Sequence, residues 1–126
     1  MTFWYLASPY AKYIGGHEAA FALAAENAAL LLRARIPVFC PIAHSHPIAV
    51  HGGIDGNGQS FWVEFVDKPF IDAAYGMILL TATGWDSSQG IAYEIKEFER
   101  TGRPIVRMEP YNVPLELAVW DYEKHS

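Results

Sequence analysis

Apolar residues in this chain gather into four short runs separated by longer mixed stretches. Phe3-Trp4-Tyr5-Leu6-Ala7, Ile36-Pro37-Val38-Phe39-Cys40, Met77-Ile78-Leu79-Leu80 and Pro104-Ile105-Val106-Arg107-Met108 are short and largely apolar. Buried parallel strands read this way, because both of their faces are covered. Pro37 at the start of the second run suits an edge strand best, since proline has no donor for a ladder. Between the runs the period changes. His17 to Arg35 is rich in Ala and Leu with no internal Gly or Pro, and predicts a long helix. Its apolarity on more than one side predicts a second contact besides the sheet. Phe61 to Ala74 reads as a helix kinked at Pro69, with Phe61, Phe65 and Ile71 on its buried face. Ile91 to Arg100 is a helix with Ile91, Ile95 and Phe98 near one face, and Leu115 to Lys124 a weak terminal one. Pro41 to Ser60, with Gly52, Gly53, Gly56 and Gly58, reads as a long polar loop whose 53–59 part serves as a lid.

Strand–helix alternation four times over predicts an α/β protein, a doubly wound (flavodoxin- or Rossmann-like) parallel sheet with helices on both faces. The expected strand order is 2-1-3-4, with residues 1–126 as one domain. In such sheets ligands bind beyond the carboxyl ends of the strands, where the order reverses. That rule brings the turn after strand 1, Ser8-Pro9-Tyr10, next to the turn after strand 3, Gly84 to Gly90.

Composition narrows the classes. The net charge of −5 gives no broad basic face for a nucleic acid polymer. No run reaches the ~20 apolar residues of a membrane helix. The N-terminus reads as a strand and not as a signal peptide. Cys40 is the single cysteine, so no internal disulfide forms and a reducing cytoplasm is the expected location. Cys40, His44, His46 and His51 do not have the spacing of a zinc finger. No metal and no cofactor are expected.

The turn after strand 3 carries the chemistry. Asp86, Ser87 and Ser88 are good N-cap residues, and Gly90 admits close approach by a ligand. A helix start presents free N–H groups and positive dipole, which suits an anion or a sugar hydroxyl. Glu94 lies one turn in, where a carboxylate either complements the dipole or does chemistry. Tyr5 is either core or site, and Tyr10, an aromatic in a loop, suits stacking on a base or sugar.

Ser88-x-Gly90-x-x-x-Glu94, after a strand leading to Gly84-Trp85, resembles the signature of the nucleoside 2-deoxyribosyltransferase superfamily. More closely, the chain from Tyr5-Leu6-Ala7-Ser8-Pro9-Tyr10 to Arg103-Pro104, about four-fifths of it, resembles a small bacterial and phage family of uncharacterised domains in that superfamily. Ser45-His46-Pro47-Ile48 and the Trp62, Asp67 pair belong to that likeness. The resemblance implies that Glu94 is the nucleophile at the sugar anomeric carbon. It implies Asp67 as the second catalytic carboxylate, ahead of Asp72 and Glu64. It implies that Ser8, Ser88 and Gly90 hold the sugar end, and that Tyr10, Trp85 and His46 frame the base. Tyr5, Pro9 and Asp86 complete the expected site. The chain departs from the superfamily's nucleotide N-hydrolases in offering Ala11 and Lys12 where they place an Arg, and from many transferases in Ser88 where they carry Asp. The implied reaction is N-glycosidic cleavage or transfer on a (deoxy)nucleoside or nucleotide, in a homo-oligomer. The alternative is a non-catalytic nucleotide or nucleotide-sugar binding module.

Overall fold

In the computed structural model, residues 2–125 are described. Four parallel strands form one sheet in the order β2-β1-β3-β4: β1 (Trp4–Ala7), β2 (Val38–Phe39), β3 (Gly76–Leu80) and β4 (Ile105–Met108). β1 and β3 are buried along their whole length, as central strands of a covered parallel sheet must be. Their register pairs Trp4 with Gly76 and Ala7 with Leu79. β2, which follows Pro37, is one of the two edge strands. Gly76 is required where it stands: a Cβ there would lie 2.6 Å from the Trp4 ring and 2.7 Å from the Pro104 carbonyl oxygen.

Two apolar clusters cover the two faces of the sheet. One gathers Trp4, Leu6, Ile78, Leu80 and Met108 with Leu23, Ala24, Ala28 and Leu31 of α1 (Gly16–Arg33). The other gathers Tyr5, Ala7, Met77 and Leu79 with Ile71, Ile91 and Phe98. Alternate residues of β1 and β3 thus point to opposite layers, the period-2 consequence of a strand. α1 buries a single face (Ala20, Leu23, Ala24, Asn27, Ala28, Leu31) and leaves Leu32 exposed.

The segment expected as a loop from Pro41 to Ser60 is helical over much of its length. α2 spans Pro41–Gly52 and only 53–58 is irregular. Pro41 fits the first turn, where no N–H is needed. Pro47 is interior, and packing overrides its cost: Ile42, His46 and Ala49 are buried at i, i+4 and i+7.

The helix expected from Phe61 to Ala74 has three parts: a turn α3 (Gln59–Phe61), a π-helical segment (Trp62–Asp67) and α4 (Lys68–Ala73). Pro69 cannot donate to the carbonyl four residues back, and the π turn lies just before it. Bonding from i to i+5 shifts the helix face. Trp62 and Asp67, five residues apart, are therefore the buried pair, while Phe61 and Phe65 are exposed and only Ile71 keeps the expected burial. α5 spans Gln89–Arg100, capped by Ser88, whose Oγ accepts the Ile91 N–H at 3.2 Å. The terminal helix is only Leu115–Ala118 (α6). After it Trp120 packs on Trp4 and Tyr75. No helix among the described residues is long and apolar enough to cross a membrane.

Candidate active site

A cavity of about 420 Å³ opens at the carboxyl ends of β1 and β3. That volume is in the range of small-molecule sites. The turn after β1 (Ser8, Pro9, Tyr10) and the turn before α5 (Gly84, Ser87, Ser88, Gly90) both line it. Segments far apart in sequence meet because strand order reverses between β1 and β3.

Two carboxylates face this cavity, Glu94 from the first turns of α5 and Asp67 from the end of the π segment. Each is only 5% exposed, and neither forms an ion pair with a described residue. The Tyr5 hydroxyl donates a hydrogen bond to Glu94 Oε2. Asp67 Oδ1 is buried with no partner among the described residues. Burial pushes Asp67 up to about 7 and Glu94 up to about 8. The Tyr5 donor works downward on Glu94, while the Asp67 charge works upward. Two negative charges in one dry cavity disfavour each other, in the same direction as burial. The Tyr5 hydroxyl is directed at Glu94, and a hydrogen bond to the ionised form favours that form.

The Tyr5 ring is fully buried in the core beside Phe98 and Phe39 while its hydroxyl reaches Glu94. Ser8 is buried and its Oγ has no partner among the described residues. Of the alternatives to Asp67, Glu64 is exposed, and Asp72 is exposed and pairs with Lys68 at 2.6 Å. Trp85 and Asp86 do not line the cavity. Trp85 packs in the second apolar cluster, with the Arg107 guanidinium 5.0 Å from its ring centroid, and Asp86 is exposed. The short 3₁₀ turn Trp85–Ser87 turns both away from the cavity and gives it Ser87 and Ser88 instead. At Gly90 a Cβ would meet Val63 at 3.5 Å, an ordinary contact, so the glycine keeps the cavity wall open more than it relieves crowding.

His46 is buried at the cavity edge, whereas His44 and His51, on other faces of α2, are exposed. Among the described residues no three His, Cys, Asp or Glu side chains could hold a metal ion together. The sequence reading missed several lining residues: Trp62, Asn57, Gln89 and Lys12. Trp62 Nε1 donates to the Asp55 carbonyl at 2.7 Å, which ties the 53–58 loop to the π segment. Glu18, which bonds His46 from α1, was also missed, because an acidic residue in a first helical turn needs no further reason.

Fold and site define the class: a doubly wound parallel α/β protein with two uncompensated carboxylates at its switch-point cavity. Residues 2–110 match the family described as a domain of unknown function, DUF1937, and the chain belongs to that family. A comparison with curated proteins finds no match.

Proposed function

We propose that the protein cleaves or transfers the N-glycosidic bond of a (deoxy)nucleoside or nucleotide through a covalent glycosyl–Glu94 intermediate. The observation that carries this reading is the pair Glu94 and Asp67, buried in one cavity with no ion pair to a described residue. Withdrawing a carboxylate from water costs several kcal/mol unless it is paired. A fold rarely keeps two such groups together unless a cationic or electron-deficient ligand meets them. An oxocarbenium-like transition state is such a partner.

In this reading the Glu94 carboxylate bonds to the anomeric carbon while the carbon–nitrogen bond breaks. The electron pair leaves with the base, which takes up a proton. Water or a second base then displaces Glu94. Tyr5 steadies Glu94 in its ionised form before attack. Asp67, with an oxygen lacking a donor, accepts from a sugar hydroxyl or helps protonate the base. Ser8, Ser88 and the start of α5 hold the far end of the sugar. The resemblance of Ser88-x-Gly90-x-x-x-Glu94 to the signature of the nucleoside 2-deoxyribosyltransferases supports the same role for Glu94. That likeness also carries the expectation of a homo-oligomer, which light scattering measures directly.

The test is incubation with deoxynucleosides and their 5′-monophosphates, with and without an acceptor base, followed by chromatography for free base. Release by wild type and none by Glu94→Gln is the expected result, and acceptor dependence separates transfer from hydrolysis. No release from any compound would sink the enzymatic reading. Thermal stabilisation by one of the same compounds would then favour the binding module.

A further inference from the structure

The α2 wall of the cavity, with Tyr10 from the turn after β1, holds a second chain of polar groups that the carboxylate chemistry does not use. The Tyr10 hydroxyl is 2.7 Å from His46 Nδ1, and His46 Nε2 is 2.8 Å from Glu18 Oε2. Tyr10 and His46 line the cavity. His46 is 6% exposed, and the Glu18 side chain 83%. The three groups therefore run from the cavity, through a buried imidazole, to water. The imidazole is fixed at both nitrogens and stacked on Phe21 at 4.6 Å. Tyr10 is held in turn by His17, stacked at 4.3 Å.

The geometry points to Tyr10, His46 and Glu18 as a proton relay that protonates the departing base, with Tyr10 the catalytic acid and the other two its positioning residues. This rests on the N-glycosidic reading, and it leaves Asp67 to the sugar. In the acid form both His46 nitrogens carry protons: Nδ1–H donates to the Tyr10 oxygen and Nε2–H to the Glu18 carboxylate. The Tyr10 proton is then free to turn towards the ligand. As the carbon–nitrogen bond breaks and Glu94 bonds to the sugar, the base nitrogen takes the Tyr10 proton. Tyr10 takes the proton from Nδ1, and His46 is left neutral with its Nε2–H still on Glu18. When water discharges the glycosyl ester, the proton it releases returns along the same groups in reverse. Glu18, open to solvent, is where the relay exchanges protons with bulk water.

The test compares two leaving groups. 2′-Deoxyinosine, or its 5′-monophosphate if wild type prefers that, loses a base that needs a proton. The matching p-nitrophenyl 2-deoxyriboside loses a phenolate that does not. Tyr10→Phe is expected to lose about 100-fold or more on the nucleoside and less than about threefold on the nitrophenyl compound, the signature of lost general acid catalysis. Glu18→Gln, at an exposed position where folding is not at stake, is expected to show the same selective loss at about 5–10-fold. Equal losses on the two probes, or no loss on the nucleoside, in either variant would overturn the relay while the N-glycosidic reading stood. Wild type that cleaves neither probe would overturn that reading and the relay with it.

Discussion

On one side of the cavity, Glu94 and Asp67 are 5% exposed and form no ion pair among the described residues, and one directed donor, Tyr5, reaches Glu94. On the α2 side, His46 is as deeply placed, yet both ring nitrogens are bonded and Glu18 carries the chain into water. The carboxylate wall is formed by α5 and the π segment, which pack with β1 and β3 in the second apolar cluster. The other wall includes a loop, 53–58, fastened by a few polar contacts. The difference separates two tasks. A charge that must meet a developing cation gains by being dry and fixed. A group that must exchange protons needs a path to solvent.

The largest expected effect breaks the dry wall chemically. Glu94→Gln keeps size and hydrogen bonding but removes the nucleophile, and turnover should fall at least about 1,000-fold. Mass spectrometry of the wild type quenched during turnover should show a glycosylated peptide containing Glu94, absent from the variant. An active Glu94→Gln enzyme would end the covalent mechanism.

The next effect is on stability. Burial raises the Asp67 carboxyl from 3.8 to about 7. Between those values the folded protein holds a proton that the unfolded chain releases, so the contribution to stability falls as pH rises. It is fully present below the unfolded value and lost as pH passes the folded one. Asp67→Asn removes this slope. The variant should match wild type near pH 4 and gain with rising pH, by an order of 2–4 kcal/mol at pH 8. Thermal melts from pH 4 to 8 read this directly. A gain that did not grow with pH would show that Asp67 is not held dry. On the wet wall Glu18→Gln should leave the melting profile nearly flat relative to wild type, because the Glu18 side chain is exposed and solvent screens its charge.

A smaller effect sharpens the contrast within the dry wall. Tyr5→Phe removes the donor to Glu94 and keeps the ring in the core. The carboxyl should then ionise at higher pH, and the acidic limb of kcat/KM should move up. At pH 6 the loss should be about 10-fold, the worth of a hydrogen bond to a charged group, and should shrink by pH 8. A pH-independent loss would mean that Tyr5 acts only by packing.

The two walls also differ in how far the sequence disclosed them. The strand order followed from alternation, and the meeting of Ser8-Pro9-Tyr10 with the α5 turn followed from the switch-point rule, without any side-chain information. Ser88 as the helix cap was readable from residue type. The α2 wall was hidden for local reasons. Pro47 and four glycines argue for a loop, whereas Ile42, His46 and Ala49 carry a helical period with a polar residue in a buried position. The π segment was hidden too. Reading Phe61 to Ala74 with one α period put Phe61 and Phe65 inside and left Trp62 off the cavity, because a change to i→i+5 bonding leaves no composition signal. Trp85 and Asp86 were placed in the site because they precede Ser88, but a single 3₁₀ turn decides which side chains of a short loop face inward.

The smallest expected effect concerns the loop that closes the wet wall. Asn57 Oδ1 is 2.8 Å from His17 Nε2, its N–H donates to Asp55 Oδ1 at 3.0 Å, and Gly56 lies against Tyr10. The first of these contacts is exposed, so losing it should cost well under about 1 kcal/mol of stability. Asn57→Ala should therefore leave the melting temperature almost unchanged and leave Glu94 chemistry intact. What it should change is the population of the closed loop, and with it substrate retention: KM up by about two- to fivefold with kcat held. Amide exchange in residues 53–58 should quicken in the same variant, while that of β1 and β3 stays as it was. If kcat fell instead and KM stayed, the loop would be steering Tyr10 in the chemical step and not only closing over the ligand. Gly56 would then be the point of contact, since a Cβ there would stand 3.1 Å from the Tyr10 hydroxyl.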